Sequence, residues 1–118
     1  TTRKALSIES GLVELQAAAN LLWLTRHQIA DLFGVFVPAV GRNIRAILKS
    51  CRLWEERVYR RERNRDGGIV ELYSLEMIAA LAFRLKSGNA EAFRRWLVRR
   101  ATTTAVVWQL PGMNTILN

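Results

Sequence analysis

The sequence predicts a single small domain of the α+β class. Its 118 residues suffice for one hydrophobic core but not for two independent ones, and half of them are apolar, which excludes disorder as the default. Some segments place apolar residues at helical spacing, whereas others are short apolar runs next to turn residues, as strands are. No apolar stretch approaches the roughly 20 residues of a membrane helix, so no membrane partner is expected.

Two short strands are predicted near the N-terminus. They cover Leu12–Gln16 and Leu21–Leu24, and residues 17–20 form the turn that joins them into an N-terminal hairpin. Residues 1–10 lack the apolar region and cleavage site of a signal peptide, so none is expected.

The first helix has both a start signal and a stop signal. Thr25 is followed three residues later by Gln28, a capping-box pair that satisfies free amides at a helix N-terminus. Ile29 and Phe33 then fall on one face. Gly34 ends the helix, because glycine readily takes the positive φ of a tight turn.

The second helix is expected to begin at Pro38, whose missing N–H would have no intrahelical partner in the first turn. Its two faces differ in character. The predicted buried stripe consists of Val40, Ile44, Ile47 and Leu48, and the other face carries Arg42, Arg45 and Lys49.

A β-hairpin rich in arginine follows. Its strands, residues 58–63 and 69–73, flank the turn sequence Asp66-Gly67-Gly68. The arginines along it or near its tip are Arg60, Arg61, Arg63 and Arg65. The hairpin has the character of the wing of a winged helix. The alternative is a solvated hairpin whose arginines pair with its own carboxylates.

Two C-terminal helices complete the predicted domain. Ser74 is expected to cap a helix over Leu75–Lys86, and Asn89 is expected to cap another from Ala90 to about Ala101. Residues 1–101 then form the domain. Residues 102–118 are expected to be a tail for interaction or oligomerisation.

The spacing of the first two helices indicates a helix-turn-helix. The small residue Ala30 allows the helices to approach, Gly34 makes the turn, and apolar residues at Val40 and Ile44 set the crossing angle. An ordinary corner between two core helices has a similar pattern and stays open as an alternative. With the hairpin included, the pattern predicts a winged helix-turn-helix with an N-terminal hairpin and two C-terminal helices.

The charge balance indicates a polyanionic partner. Eighteen Lys and Arg against ten Asp and Glu give a net charge of +8. Apart from Lys4, Lys49 and Lys86 the cations are arginines, which bind phosphates and guanine edges bidentately. The last helix carries a further basic cluster of Arg94, Arg95, Arg99 and Arg100. A basic surface without a specific partner is the alternative.

The residue types needed for catalysis are sparse. A single His27, the absence of CxxC and the absence of a phosphate-binding glycine loop leave no evident nucleophile, metal site, cofactor site or small-molecule site. The chain is therefore not expected to be an enzyme. A lone Cys51 cannot form an internal disulfide, so we expect a cytoplasmic protein.

Three segments carry a family resemblance. The segment "LLWLTRHQIADLFGV" leads into "VGRNIRAIL", and "LYSLEMIAALAFRLKSGNAEAFRRWL" follows. In this order, over about residues 12–101, they resemble the virulence-associated RhuM-like family of bacterial DNA-binding proteins, which is similar to the N-terminal domains of phage antirepressors. The resemblance implies a DNA-binding domain of bacterial or prophage origin without enzymatic activity. By position it places Arg42 in the recognition helix, whereas Phe36 stands where the family has a serine-like cap.

These patterns predict binding to double-stranded DNA in transcription regulation. The second helix, about residues 37–49, would enter the major groove while the hairpin follows the backbone. The predicted base contacts are Arg42, Asn43 and Arg45. The predicted backbone contacts are Thr25, Arg26, Gln28, Lys49, Arg60, Arg61, Arg63 and Arg65. A homodimer is expected if binding is specific, because one recognition helix reads few base pairs. The alternative is a protein-interaction module that retains the fold without DNA readout.

The second helix opens on apolar residues, although polar ones are expected at the start of a recognition helix. Phe36 and Val37 can pack inward against the hairpin, contact thymine methyl groups, or form an exposed patch for another protein. We favour inward packing for one of the two. Gly41 is expected to let the helix backbone approach DNA closely.

Overall fold

Five helices and two small antiparallel sheets make up the described part of this computed structural model, residues 5–16, 18, 21–50 and 55–108, with side chains described as far as residue 102. The α+β class is thus confirmed. None of the described helices is long and apolar enough to cross a membrane. The elements in chain order are β1 (Leu6–Glu9), β2 (Leu12–Leu15), β3 (Trp23–Leu24), α1 (Arg26–Phe33), α2 (Val37–Ser50), α3 (Glu55–Val58), β4 (Tyr59–Arg63), β5 (Ile69–Ser74), α4 (Leu75–Ala82) and α5 (Gly88–Trp108).

An N-terminal hairpin is present, but it is not the predicted one. β1 pairs with β2 in antiparallel register, with Ile8 opposite Val13, and Leu6 and Ile8 are buried. Ser10 and Gly11 both take positive φ, which closes a tight turn between these strands. The predicted pairing of β2 with β3 is therefore wrong, because β2 pairs with β1 and β3 pairs with the distant β5.

Helix α1 begins and ends as predicted. The Thr25 hydroxyl accepts a hydrogen bond from the Gln28 N–H at 3.1 Å, and the Gln28 side-chain oxygen accepts one from the Thr25 N–H at 2.8 Å. Gly34 ends the helix in the left-handed conformation, with φ of 66°. Ile29 and Phe33 are fully buried, so the predicted apolar face is confirmed.

Helix α2 begins at Val37, one residue earlier than predicted. The Phe36 carbonyl accepts the first helical hydrogen bonds, from the N–H groups of Ala39 at 3.0 Å and Val40 at 3.3 Å. Val37 packs against the core, whereas Phe36 is 85 % exposed. The interpretation that one of these two residues packs inward is therefore confirmed for Val37.

The three-stranded sheet has the order β3-β5-β4. The predicted arginine-rich hairpin is confirmed, and its register runs from Tyr59 opposite Tyr73 to Arg63 opposite Ile69. Val58, which was expected in the first strand, instead ends the one-turn helix α3. Because β3 precedes α1 and pairs with β5, the sheet joins the start of the two-helix unit to the hairpin that follows it.

The helix after the hairpin is present, but its ends differ from the prediction. Ser74 stands at the N-cap of α4 without a side-chain cap bond, and its buried Oγ has no hydrogen-bond partner in the described part of the chain. α4 ends at Ala82 rather than at Lys86. Arg94 of α5 donates to the carbonyl of Ala82 at 2.6 Å, an acceptor that this helix end leaves open, and to the carbonyl of Leu85 in the following turn at 3.2 Å.

Helix α5 is capped by Ser87 and not by Asn89. The Ser87 Oγ accepts a hydrogen bond from the Ala90 N–H at 3.0 Å. Asn89 lies in the first turn and donates from Nδ2 to the Leu32 carbonyl at 2.9 Å, which ties α5 to α1. The helix continues past the predicted end at about residue 101 and reaches Trp108. The rest of the predicted tail, residues 109–118, lies outside the described residues, as does position 51.

The core is centred where α1, α4 and α5 meet. Phe33 of α1 packs edge-to-face on Phe93 of α5, with ring centroids 5.6 Å apart. Met77, Ile78 and Leu81 of α4 are fully buried beside them. This packing holds α1 in place, and α1 in turn supports α2.

Candidate functional site

The exposed face of α2 carries a row of cations. Arg42, Arg45 and Lys49 are all exposed, and their spacing of three and four residues puts them on one side of the helix, opposite the buried Val40 and Ile44. Within the described residues, none of the three cations takes part in an ion pair. Arg42, Arg45 and Lys49 are called the α2 stripe below.

Asn43, which was expected to contact bases, is engaged inside the fold. Its Nδ2 donates to the Ala39 carbonyl at 2.8 Å, and its Oδ1 accepts a hydrogen bond from Arg84 Nε at 2.9 Å. Each end of the amide therefore has a partner within the chain. Asn43 connects α2 to the turn after α4 and does not extend the α2 stripe.

Gly41 is buried, which contradicts the expectation that its backbone is open to close approach. A Cβ at this position would lie 3.6 Å from the Arg26 Nη1 and 3.6 Å from the Arg45 Nη1. Two guanidinium groups therefore converge over the space that the glycine leaves. This convergence links the α2 stripe to the start of α1.

The hairpin arginines fall into two groups. Arg60 is held within the sheet, because its guanidinium carbon lies 4.2 Å from the centre of the Trp23 ring and its Nε lies 3.0 Å from a Glu62 carboxylate oxygen. The other three are exposed, and in the described residues none of them has an ion-pair partner. These three, called the hairpin cations below, are Arg61, Arg63 and Arg65.

A groove of about 550 Å³ separates the start of α1 and α2 from the hairpin. Thr25, Arg26 and His27 form the α1 side of the groove. Arg61 lies on the hairpin side. The structure thus brings Thr25 and Arg26 close to Arg61, and these three were expected to contact a nucleic-acid backbone. Gln28, also expected there, is outside the groove lining and bonded to Thr25 in the capping box.

Glu71 is a residue of the candidate site that the sequence analysis did not select. One of its carboxylate oxygens lies 3.0 Å from the Arg26 Nη2, and the other accepts a hydrogen bond from the Tyr59 hydroxyl at 2.7 Å. Arg26 is therefore partly neutralised by an acid of the hairpin. The same carboxylate fixes the start of α1 against β4 and β5.

We expect the Tyr59 hydroxyl to make the stability of the domain depend on pH. Desolvation, together with the hydrogen bond to Glu71, raises the pKa of Tyr59 from 10.0 to about 12. Since the neutral phenol is favoured in the folded state, its stabilising effect is complete below pH 10 and is lost as the pH rises towards 12.

The test compares wild type with Tyr59→Phe by urea denaturation across this range. We expect the stability advantage of wild type over the variant to shrink between pH 10 and about 12. Tyr73, whose pKa is also raised by burial, is present in both proteins and cancels in the comparison. A constant difference between the two proteins would show that the hydroxyl is not held as described.

Three of the four arginines in the basic cluster of α5 have partners within the fold, whereas Arg99 is exposed. Arg94 is bonded to the carbonyls at the end of α4, and Arg95 pairs with Glu91 at 3.2 Å. The guanidinium of Arg100 lies 4.9 Å from the centre of the Trp96 ring. The cations of the groove lining come from α1 and from the hairpin, not from α5.

Comparison of the chain with models of protein families, with curated proteins and with solved structures gave no match. The resemblance to the RhuM-like family thus stays a prediction from the sequence. Among the described residues, no group of three or more His, Cys, Asp or Glu side chains could hold a metal ion. The candidate site therefore consists of exposed cations, a groove and exposed apolar side chains.

Proposed function

We propose that this chain binds double-stranded DNA as a winged helix-turn-helix and acts in the regulation of bacterial or prophage transcription. The observation that carries the proposal is the continuity of cations across three elements, α2, α1 and β4. Arg45 and Arg26 converge over Gly41, and Arg26 and Arg61 line the same groove. A surface of this kind suits a ligand with regularly spaced negative charges.

The order of the elements supports the winged helix. A short strand precedes two helices joined by a glycine turn, a hairpin follows them, and the short strand pairs with the second strand of that hairpin. In a winged helix-turn-helix the second helix enters the major groove while the hairpin lies along the backbone. Here α2 would take the first role and the hairpin cations the second.

The roles of the individual cations follow from their exposure. Arg42 and Arg45 would meet base edges, because exposed arginines on the outer face of a recognition helix hydrogen-bond guanine O6 and N7 bidentately. Lys49, near the end of α2, would hold a phosphate. Asn43, with both ends of its amide bonded inside the fold, is left out of the proposed contacts.

Arg42→Ala tests base reading. On a preferred site, selected from a random duplex library, we expect a loss of about 1 to 3 kcal/mol, and a smaller loss on random duplex. The measurement is fluorescence anisotropy with both duplexes. Equal losses on the two would remove the base-reading role and leave Arg42 as a phosphate contact.

Glu71→Gln tests the neutralisation of Arg26. Removing the negative charge frees Arg26 for a phosphate, so affinity for random duplex is expected to rise and the salt dependence to steepen by about 0.9 in log–log slope. Glu91→Gln, which removes the same charge from α5, is the matched control and is expected to change the slope little. An unchanged slope in Glu71→Gln would show that Arg26 does not reach the backbone.

A protein-interaction module is the second candidate function, and the 85 % exposure of Phe36 favours it. In that case duplex DNA would not bind even at low salt. A partner protein would instead be held through apolar contacts that survive high salt. Salt dependence therefore separates the two candidates.

A further inference from the structure

An exposed aromatic ring stands at the start of α2. Phe36 is 85 % exposed, more than any other large apolar side chain in the described part of the molecule. Its backbone carbonyl begins the helix, so the position is fixed while the ring remains in water. A partner that covers this ring would remove apolar surface from water and gain affinity.

The surroundings of Phe36 restrict the chemistry of that partner. The next residue, Val37, lines the groove together with Arg26, Arg61 and Ile69, and Ile69 is itself 56 % exposed. Apolar side chains are therefore bordered by a cation on each side of the groove, although Arg26 is paired there with Glu71. These surroundings favour a partner that carries negative charge and offers an apolar group close to it.

Duplex DNA meets both conditions in its major groove. Phosphates supply the charge, and the 5-methyl group of thymine is the apolar feature of the base edges there. The first residues of a recognition helix are those that meet base edges. At a rise of about 1.5 Å per residue, Arg42 lies about 9 Å further along the helix axis than Phe36, which is the length of about two or three base pairs.

We infer that Phe36 is a specificity-determining residue that selects thymine by packing on its 5-methyl group, two or three base pairs from the base that Arg42 contacts. This inference rests on the proposed DNA binding. It goes further by naming a base and the atom that is recognised. Phe36 stands at the position where a polar helix cap was expected. Its proposed contact with thymine needs no hydrogen bond.

The test uses two duplexes of equal length, one of alternating dA and dT and one of alternating dA and dU. They carry the same charge and the same hydrogen-bonding groups, and they differ only in the 5-methyl group. We expect wild type to bind the dT duplex about 3- to 10-fold more tightly by fluorescence anisotropy, the effect of burying one or two methyl groups.

Two variants test whether Phe36 causes the preference for the dT duplex. Phe36→Ala is expected to bind both duplexes with the affinity that wild type has for the dU duplex, and circular dichroism confirms that it folds. Phe83→Ala removes another exposed phenylalanine, at the end of α4, and is expected to retain the preference for dT.

Three results would overturn the inference. Equal binding of the two duplexes by wild type would exclude methyl recognition, and a preference that persists in Phe36→Ala would assign it to another residue. A loss in Phe36→Ala that is equal on both duplexes would mean that the ring contacts another part of the DNA. Binding to neither duplex at low salt is a different failure, because it would contradict the proposed function itself.

Discussion

Replacing all three hairpin cations with alanine is expected to lower affinity for duplex DNA about 100-fold or more at 0.1 M salt. Arg61, Arg63 and Arg65 are exposed, and none of them pairs with an acid in the described part of the chain. Each phosphate contact contributes about 0.9 to the log–log slope of affinity against salt, so the slope is expected to become shallower by about 2.7. Arg60 is left unchanged, because it packs on Trp23 and truncation would disturb the sheet.

The control for this experiment must remove the same charge elsewhere. Lys86 lies between α4 and α5, and Arg95 and Arg99 lie on α5. All three are exposed, and alanine at all three also removes three positive charges. We expect a much smaller loss in this control, measured by anisotropy with the same duplex. Equal losses in the two triple variants would mean that DNA responds only to net charge and that the hairpin has no special role.

Phe33→Ala is expected to destabilise the domain by about 3 to 5 kcal/mol. The ring is fully buried at the end of α1 and packs edge-to-face on Phe93. Its removal leaves a cavity between α1 and α5, which can close only if one helix moves. This cost is a large fraction of the roughly 5 to 15 kcal/mol that stabilises a domain.

Urea denaturation of wild type, Phe33→Ala and Phe83→Ala measures this effect. Phe83 is 61 % exposed, so its truncation is expected to change the free energy of unfolding by about 0.5 kcal/mol or less. A loss below about 1 kcal/mol in Phe33→Ala would contradict the packing of α1 on α5, because burying a whole aromatic ring contributes more than that.

Local chemistry made the two-helix unit predictable. The Thr25 and Gln28 cap and the Gly34 turn involve residues a few positions apart, so the sequence contains all the partners. Strand pairing depends instead on distant residues. β3 pairs with β5, about fifty residues later, and the β1–β2 turn relies on positive φ at Ser10, which is rare for a residue other than glycine.

The features of the candidate site also divide into those that local sequence predicts and those that depend on distant residues. Helical spacing predicted that Arg42 and Arg45 share an exposed face, because that depends on the helix alone. The partners of Asn43 and Arg26 come from other elements, Arg84 after α4 and Glu71 on β5, and no local pattern announces them. For Glu71, the only sign in the sequence was an acidic residue on a strand of the arginine-rich hairpin.

The most direct test of DNA binding is the titration of labelled random-sequence duplex with the wild-type chain, followed by fluorescence anisotropy between about 50 and 200 mM salt. If Lys49 and the hairpin cations hold phosphates, affinity falls steeply and linearly with salt on a log–log plot. Absence of binding at the lowest salt, despite a net charge of +8, would contradict the proposed function and make Phe36 the first place to look for a protein partner.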